Sequence, residues 1–176
     1  MIHLAAPIVG LGFGSSGVTD DRTTTGTSKL QLSPAVIMTA YVIEKLAKMT
    51  DPSDRDDWPL YATHLPDGKN VKTNVGAIFD TPGTQDRRSM TGEWPEHPGI
   101  QLRIRARNSP EGYAKTEDVA STLDKVAFGG ITIGVLEYRI QNVRRTSTVV
   151  SLGLEPEKRR FNFTVNFLLT IRELTS

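Results

Sequence analysis

The spacing of apolar residues predicts two amphipathic helices. Apolar side chains recur at three- and four-residue steps after Ser33 and again after Ser109, which gives each segment one wide apolar face. In both places the serine can cap the helix and the next residue is a proline, which is favoured in the first helical turn. The first helix is predicted to end at 50–54, where proline cannot continue it, and the second at about Ala127, before a pair of glycines.

The second half of the chain also carries the clearest strands. Over 99–107, apolar residues alternate with a glutamine and three arginines, so one face is apolar and the other cationic. Residues 161–171 alternate in the same way. We expect this last strand to form a long antiparallel hairpin with 131–146, through a turn-rich connector at 152–157.

A second hairpin is predicted earlier in the chain. The segments 58–65 and 70–79 flank a Pro-Asp-Gly sequence, which is a good turn former. The next segment, 80–98, contains three prolines and two glycines and is predicted to be a long loop. Loops of this length in compact domains are usually functional or disordered.

The order of these elements indicates the fold class. Helices and strands do not alternate strictly, so we expect an α+β fold: a mostly antiparallel sheet with two helices packed on one face. Residues 32–176 are predicted to form this single domain. Residues 1–31 are rich in glycine, serine and threonine and show neither helical nor strand periodicity, which predicts an extended N-terminal arm. A neighbouring subunit would be needed to hold such an arm in place.

Composition excludes several classes of chemistry. The 21 basic and 20 acidic residues give a formal charge of +1, so net charge indicates neither a nucleic acid nor a membrane surface as partner. There are no cysteines, which excludes disulfides and thiolate chemistry. No apolar run approaches the roughly 20 residues that cross a bilayer.

The candidate motifs for catalysis or ligand binding are incomplete. Residues 12–17 match the G-x-G-x-x-G fingerprint, but no helical pattern follows to bind a pyrophosphate. An acidic group at 51–57 lacks the glycine and glutamate of a calcium loop. The histidines have no spacing typical of metal ligands; they are His3, His64 and His97. We therefore expect no enzyme activity, cofactor or metal.

Clustered arginines are the strongest remaining feature. The strand at 99–107 places three guanidinium groups on one face, for which three interpretations stay open: a solvated face, a charged interface between subunits, or contact with DNA phosphates. The basic residues at 144–145 and 158–160 are predicted to be solvated. The candidate interface residues are Arg103, Arg105 and Arg107 on the strand, and Arg87, Arg88 and Trp94 in the loop.

Several short motifs follow one another in the second half of the chain. A Pro-Gly turn leads into a strand ending in arginine, Pro98-Gly-Ile-Gln-Leu-Arg-Ile-Arg-Ala-Arg107, and a helix follows at 113–126. A hairpin then closes through Ser151-Leu-Gly-Leu-Glu-Pro-Glu157 and ends in Arg160-Phe-Asn-Phe-Thr-Val-Asn-Phe167. In this order the motifs, together with the opening helix and early hairpin, resemble the tail terminator proteins of long-tailed bacteriophages. The resemblance covers residues 33–174; the arm and the 80–98 loop have no counterpart in it.

The resemblance implies a structural role in a virion. Such a protein forms a homo-oligomeric ring of six subunits on the last ring of the tail tube. It contacts the tail tube protein on one side and a head-completion (stopper) protein on the other. Genomic DNA passes through the lumen without sequence-specific binding, and no membrane is involved. The implied location is the tail and neck of the virion, after assembly in the host cytoplasm.

Two alternatives remain open. The nearer is another neck component, such as a head–tail joining protein or a tube-like ring protein. The more distant is a small ligand-binding protein that uses the glycine-rich arm.

Overall fold

Two helices and seven strands make up the described part of the chain, which in this computed structural model comprises residues 30–53, 58–68, 73–86 and 96–174. The helices are α1 (Pro34–Tyr41), which continues as a π-helical turn over Val42–Leu46, and α2 (Ser109–Leu123). The strands are β1 (Leu60–Ala62), β2 (Val75–Gln85), β3 (Glu96–Ala106), β4 (Ala127–Ile133), β5 (Leu136–Arg145), β6 (Val150–Glu155) and β7 (Arg160–Leu174).

The strands form one sheet in the order β1-β2-β3-β7-β5-β4, and β6 also pairs with β7. Every pairing is antiparallel except that of β1 with β2. Both helices pack against one face, where their buried residues share a core with the inward residues of the sheet. The predicted α+β class and its one-sided helical layer are therefore confirmed.

The start of α1 is as predicted from the serine–proline pair. Ser33 accepts a hydrogen bond from the amide of Val36 at 3.4 Å, and the Asp80 carboxylate on β2 accepts one from the amide of Ala35 at 2.9 Å. Two amides that lack partners within the helix are thereby satisfied. The helix ends earlier than predicted, because Ala47 adopts a left-handed φ of 47° and turns the chain away before the proline.

The predicted hairpin over 58–79 is wrong. β1 pairs with β2 in parallel, with Leu60 opposite Gly76. A two-residue turn cannot join parallel strands, and here 12 residues lie between Ala62 and Val75. The Pro-Asp-Gly sequence instead lies over β3, where Arg105 contacts it.

The predicted loop at 80–98 is shorter than expected. β2 extends to Gln85 and β3 begins at Glu96, and Thr84 and Gln85 pair with His97 and Glu96. The register shifts between Thr81 and Thr84, so strand pairing continues past the proline at position 82 through an irregularity.

The glycine pair after α2 has a different role from the predicted one. Asn108, rather than Ser109, occupies the N-cap position of α2 but makes no side-chain capping hydrogen bond, and the helix ends at Leu123. Gly129 and its neighbour lie inside β4, where an added Cβ at Gly129 would be 2.3 Å from the Tyr41 hydroxyl. The missing side chain thus allows β4 to pass close to α1.

Two predicted segments also divide differently from expectation. The 131–146 segment is split by a turn at Gly134, with φ of 63°, into the β4–β5 hairpin. The 152–157 connector contains most of β6, and the chain turns at 156–159. The long antiparallel pairing of β5 with β7 is present as predicted.

The predicted arm at 1–31 lies outside the described residues except for its last two positions. There, the Gln31 amide and its side-chain nitrogen both donate to the Glu173 carboxylate at 2.9 Å. This contact ties the start of the described chain to the end of β7. In the described part of the chain, no helix has the length and hydropathy to span a membrane.

Candidate assembly interface

The arginines of β3 lie on the sheet face opposite the helices, because the intervening Leu102 and Ile104 are in the core. Arg103 is half-buried on this outer face. Its guanidinium carbon is 5.3 Å from the centroid of the Phe79 ring on β2, a cation–π arrangement, and Nη2 donates to Gln101 at 3.2 Å. Arg103 is therefore held flat against its own sheet.

Arg105 is only 3% exposed. Its Nη2 donates to the carbonyl oxygen of Pro66 at 2.5 Å, and its Nη1 is 3.9 Å from Oδ1 of Asp67. Burial, and then the nearby charge of Arg160, lower the pKa of the Arg105 guanidinium from its ordinary value, but an arginine remains protonated. Arg105 thus anchors the turn at 66–68 to the sheet of its own chain.

A group of charges that we name the Asp67 cluster surrounds this turn; it comprises Asp67, Arg105, Lys158 and Arg160. Lys158 donates to Oδ2 of Asp67, and Nη1 of Arg160 is 3.7 Å from Oδ1. The hydrogen bond from Lys158 is the main cause that lowers the pKa of the Asp67 carboxyl, and it raises the pKa of Lys158. The prediction that 158–160 is simply solvated is wrong for Arg160, whose side chain is 12% exposed.

Another predicted solvated arginine also has a structural partner. Arg145 on β5 makes a bidentate ion pair with Glu117 on α2, at 2.7 and 2.9 Å. Side-chain hydrogen bonding between Arg145 and Glu117 is the main cause that lowers the pKa of Glu117 and raises the pKa of Arg145. The pair fastens the helix layer to the sheet, whereas neighbouring Arg144 is exposed.

Arg107 lies one residue beyond β3 and is exposed. Its backbone amide donates to the Asn74 side chain at 3.1 Å. Arg107 borders an open groove of about 740 Å³ at the start of α2, which Glu111 and Phe161 also line. The three predicted arginines therefore do not form one continuous surface: Arg107 is exposed, Arg103 is half-buried and Arg105 is buried. The other candidates, Arg87, Arg88 and Trp94, lie outside the described residues.

β6 presents an apolar surface that sequence interpretation missed. Within the described part of the chain it pairs only with β7, which leaves its other edge without a strand partner. Its apolar side chains are about half exposed: 45% for Val150, 53% for Leu152 and 48% for Leu154. Leu152 is the extra residue of a bulge before Gly153, whose φ is 91°. The bulge places Val150, opposite Thr164, and Leu154, opposite Phe161, on opposite faces of the sheet. The spacing of the three residues was the available sequence signal, but the glycine and proline nearby favoured a turn.

A second free edge lies on the opposite side of the sheet. β1 covers β2 only at 76–78, so the half of β2 from Phe79 to Gln85 has no strand on its outer side in the described chain. Pro82 lies in this half and cannot donate a backbone hydrogen bond. This open edge of β2 differs in sequence from that of β6; β4, the end strand of the sheet, also has one edge without a strand partner in the described chain.

His97 makes the most connected histidine site in the described residues. Its Nε2 is 2.9 Å from Oδ2 of Asp86, and its Nδ1 is 3.1 Å from Oγ1 of Thr170. His64 contacts the Ala62 carbonyl oxygen and the Tyr61 ring. Among the described residues there is no group of three histidine, aspartate or glutamate side chains that could hold a metal ion. His3 and the 12–17 glycine motif lie outside these residues.

No protein-family profile matches the chain, and none of the curated proteins matches it. Among solved structures, the fold is similar to a chain described as "Virion of native gene transfer agent (GTA) particle". That similarity has a TM-score of 0.42 and 11% identity, over 64% of this chain and 78% of the other.

Proposed function

We propose that the protein is a structural subunit of a bacteriophage-type virion, namely a tail terminator. Six copies would form a ring that caps the tail tube, ends its polymerisation and provides the docking surface for the head. The proposed role is not enzymatic and needs no cofactor. The protein would assemble in the host cytoplasm and remain in the tail and neck of the virion. The motif order at 98–167 suggests this class, and the free apolar edge of β6 is the observation that carries the proposal.

An exposed apolar edge strand favours association with another chain. Its unpaired backbone groups can accept a further strand, and its side chains gain free energy when they leave water. Full burial of a valine or leucine side chain contributes roughly 1.5–3 kcal/mol. Val150, Leu152 and Leu154 are each about half exposed, and Val150 and Leu154 lie on opposite faces of the sheet. A neighbouring chain that covers the edge from both faces would bury all three, which would contribute about 3 kcal/mol to each contact.

The positions of the open edges of β6 and β2 suggest how copies would associate. β6 is on one side of the sheet and the free half of β2 is on the other, so a contact between them joins different surfaces of two copies. Such head-to-tail contacts close into a ring when the rotation between copies fits, and otherwise continue as a filament. A ring of six is the closed form that we propose.

A terminator must also have two unlike faces. One face matches the growing end of the tail tube protein, while the other offers no match to a further tube subunit and instead binds the head-completion protein. Charge is an effective means of such selectivity, because a wrong partner meets like charge or unpaired groups. Arg107 is the exposed member of the predicted arginine row and is our candidate for this contact, with genomic DNA passing through the lumen without sequence readout.

Electron microscopy of lysate from a phage that lacks this gene tests the proposal. Loss of a terminator removes length control, so overlong tubes without heads are expected. Tails of normal length beside detached heads would contradict the terminator role and place the protein on the head side of the joint. Normal, complete virions would contradict a structural role altogether.

A further inference from the structure

The Asp67 cluster has more hydrogen-bond donors than acceptors. Lys158 occupies Oδ2 of Asp67, whereas both guanidinium groups approach Oδ1 at 3.7 and 3.9 Å, which is too long for a hydrogen bond. Nη1 of Arg160 is buried and has no hydrogen-bond partner within the described chain. A buried charged donor without an acceptor is costly, so the site favours a further acceptor.

The charges of the cluster are also unbalanced. Arg105, Lys158 and Arg160 are cationic, and the carboxylates near them are Asp67 and Glu155, whose Oε1 is 3.6 Å from Lys158. Counted over the described residues, three positive and two negative charges leave an excess of one positive charge. Arg160 also repels Arg105, which contributes to the lowered pKa of the buried guanidinium. An additional anion would relieve this repulsion.

There is room for such an anion. Asp67, Gly68, Lys158 and Arg160 line a solvent-open cavity of about 340 Å³. Gly68 contributes no side chain to its wall, and Lys158 retains donors beyond the one given to Asp67. A small anion can therefore enter from solvent and contact Lys158 and the part of Arg160 that lines the cavity, whereas a hydrogen bond from the buried Nη1 requires the Arg160 side chain to shift.

We propose that this cavity binds a phosphate group between Lys158 and Arg160, in front of the buried Arg105. A phosphate has several oxygens around one centre, so it can accept from a guanidinium and an ammonium at once. The Asp67 carboxylate does not do this here, because Oδ2 accepts from Lys158 while Oδ1 is 3.7 Å from Arg160 and 3.9 Å from Arg105, too far to accept a hydrogen bond. Asp67 is then an internal competitor, which holds the cations in place and also repels the entering anion.

This proposal does not depend on the proposed function, since it concerns a cavity within one chain. The shared chemistry is a phosphate group, and its source is either a free phosphate ion or a phosphodiester of nucleic acid. Substitution of Asp67 distinguishes a binding site from a purely structural cluster. In a structural cluster Asp67→Asn only destabilises the fold, whereas in an anion site it also strengthens phosphate binding.

The first experiment titrates sodium phosphate into the full chain at constant ionic strength and follows the ³¹P NMR signal and the melting temperature. The wild type is expected to show saturable binding. Arg160→Gln should weaken binding about tenfold or more, because a charge-assisted hydrogen bond is lost. Asp67→Asn should tighten binding severalfold while lowering the melting temperature without phosphate. The charge-matched control is Arg172→Gln, an exposed position on the same strand, and it should leave binding unchanged.

The proposal is overturned if the wild type shows no saturable phosphate binding, or if the Arg160 and Arg172 variants weaken binding equally. If Arg160→Gln fails to fold, Lys158→Met provides the same comparison at a more exposed position. A second titration, with a short DNA duplex followed by fluorescence anisotropy, identifies the source. If Arg160→Gln lowers the affinity for DNA, the source of the phosphate group is a phosphodiester. If Arg160→Gln abolishes phosphate binding but leaves the affinity for DNA unchanged, the source is free phosphate.

Discussion

Replacing Gly112 with alanine tests how α2 is held against the sheet. A Cβ at this position would be 2.6 Å from Cε2 of Phe163 and 2.7 Å from Cβ of Ala106. Both neighbours are buried, and the Ala106 Cβ cannot rotate away because the backbone fixes it. The helix or the strands must therefore move to accommodate one methyl group.

Two effects of opposite sign determine the result. Overpacking a well-packed core costs about 1–3 kcal/mol. Alanine in place of glycine within a helix recovers about 1 kcal/mol through helix propensity. Because the clash involves a fixed atom, we expect the clash to dominate and Gly112→Ala to lower the free energy of unfolding by about 1–2 kcal/mol.

Urea unfolding followed by circular dichroism measures this change. The control is Ala114→Gly, at an exposed position in the same helix, which measures the propensity effect without a clash. The sum of the two losses in unfolding free energy gives the cost of the clash. If Gly112→Ala instead stabilised the protein by as much as Ala114→Gly destabilises it, the close packing of α2 on β3 and β7 would be refuted.

Three further substitutions test other parts of the structure. Leu154→Glu should dissociate the proposed ring in sedimentation velocity, because it places a charge in the β6 contact. The control Val135→Glu, at a 94% exposed turn position, should leave the ring intact. Equal effects of the two substitutions would contradict the β6 contact. Glu117→Gln should lower the free energy of unfolding by about 0.5–1 kcal/mol at pH 7. Arg145 lowers the pKa of Glu117 in the folded protein, so the ion pair stabilises the fold above the unfolded pKa of about 4.3. This contribution is lost as the pH falls and Glu117 becomes protonated. Wild type and variant should therefore have the same free energy of unfolding near pH ~3. Ser33→Ala should lower the free energy of unfolding in urea by about 0.5 kcal/mol, at the low end for a cap because the capping hydrogen bond is long. An unchanged unfolding midpoint would show that the cap contributes nothing to stability.

Local signals allowed part of the fold to be predicted from sequence. The cap at Ser33 and the alternation over β3 and β7 depend on neighbours within a few residues, and each lies where predicted. The one-sided helical layer followed from the apolar faces of those segments. These features need no knowledge of distant contacts.

Features decided by tertiary contacts were not predictable in this way. The Pro-Asp-Gly turn has a strong hairpin signal, but Pro66 and Asp67 instead bind Arg105, which is 38 positions beyond Asp67 in the chain. The alternating pattern of β3 gives Arg105 the correct face but cannot show that another segment covers it. Gly129 looked like a helix stop, and only the position of Tyr41 reveals its packing role.

The β6–β7 hairpin physically connects the two proposed contacts. Leu154 pairs with Phe161 and Glu155 pairs with Arg160, so the ladder that contains the open edge also fixes the register of the arginine that we propose binds phosphate. A neighbouring copy seated on β6 would order this ladder and reduce the entropy that phosphate binding must remove. Because coupling between two binding events is reciprocal, bound phosphate would favour ring assembly by the same factor. If both proposals hold, the hairpin would therefore couple anion binding at the Asp67 cluster to the edge at which we propose that copies meet.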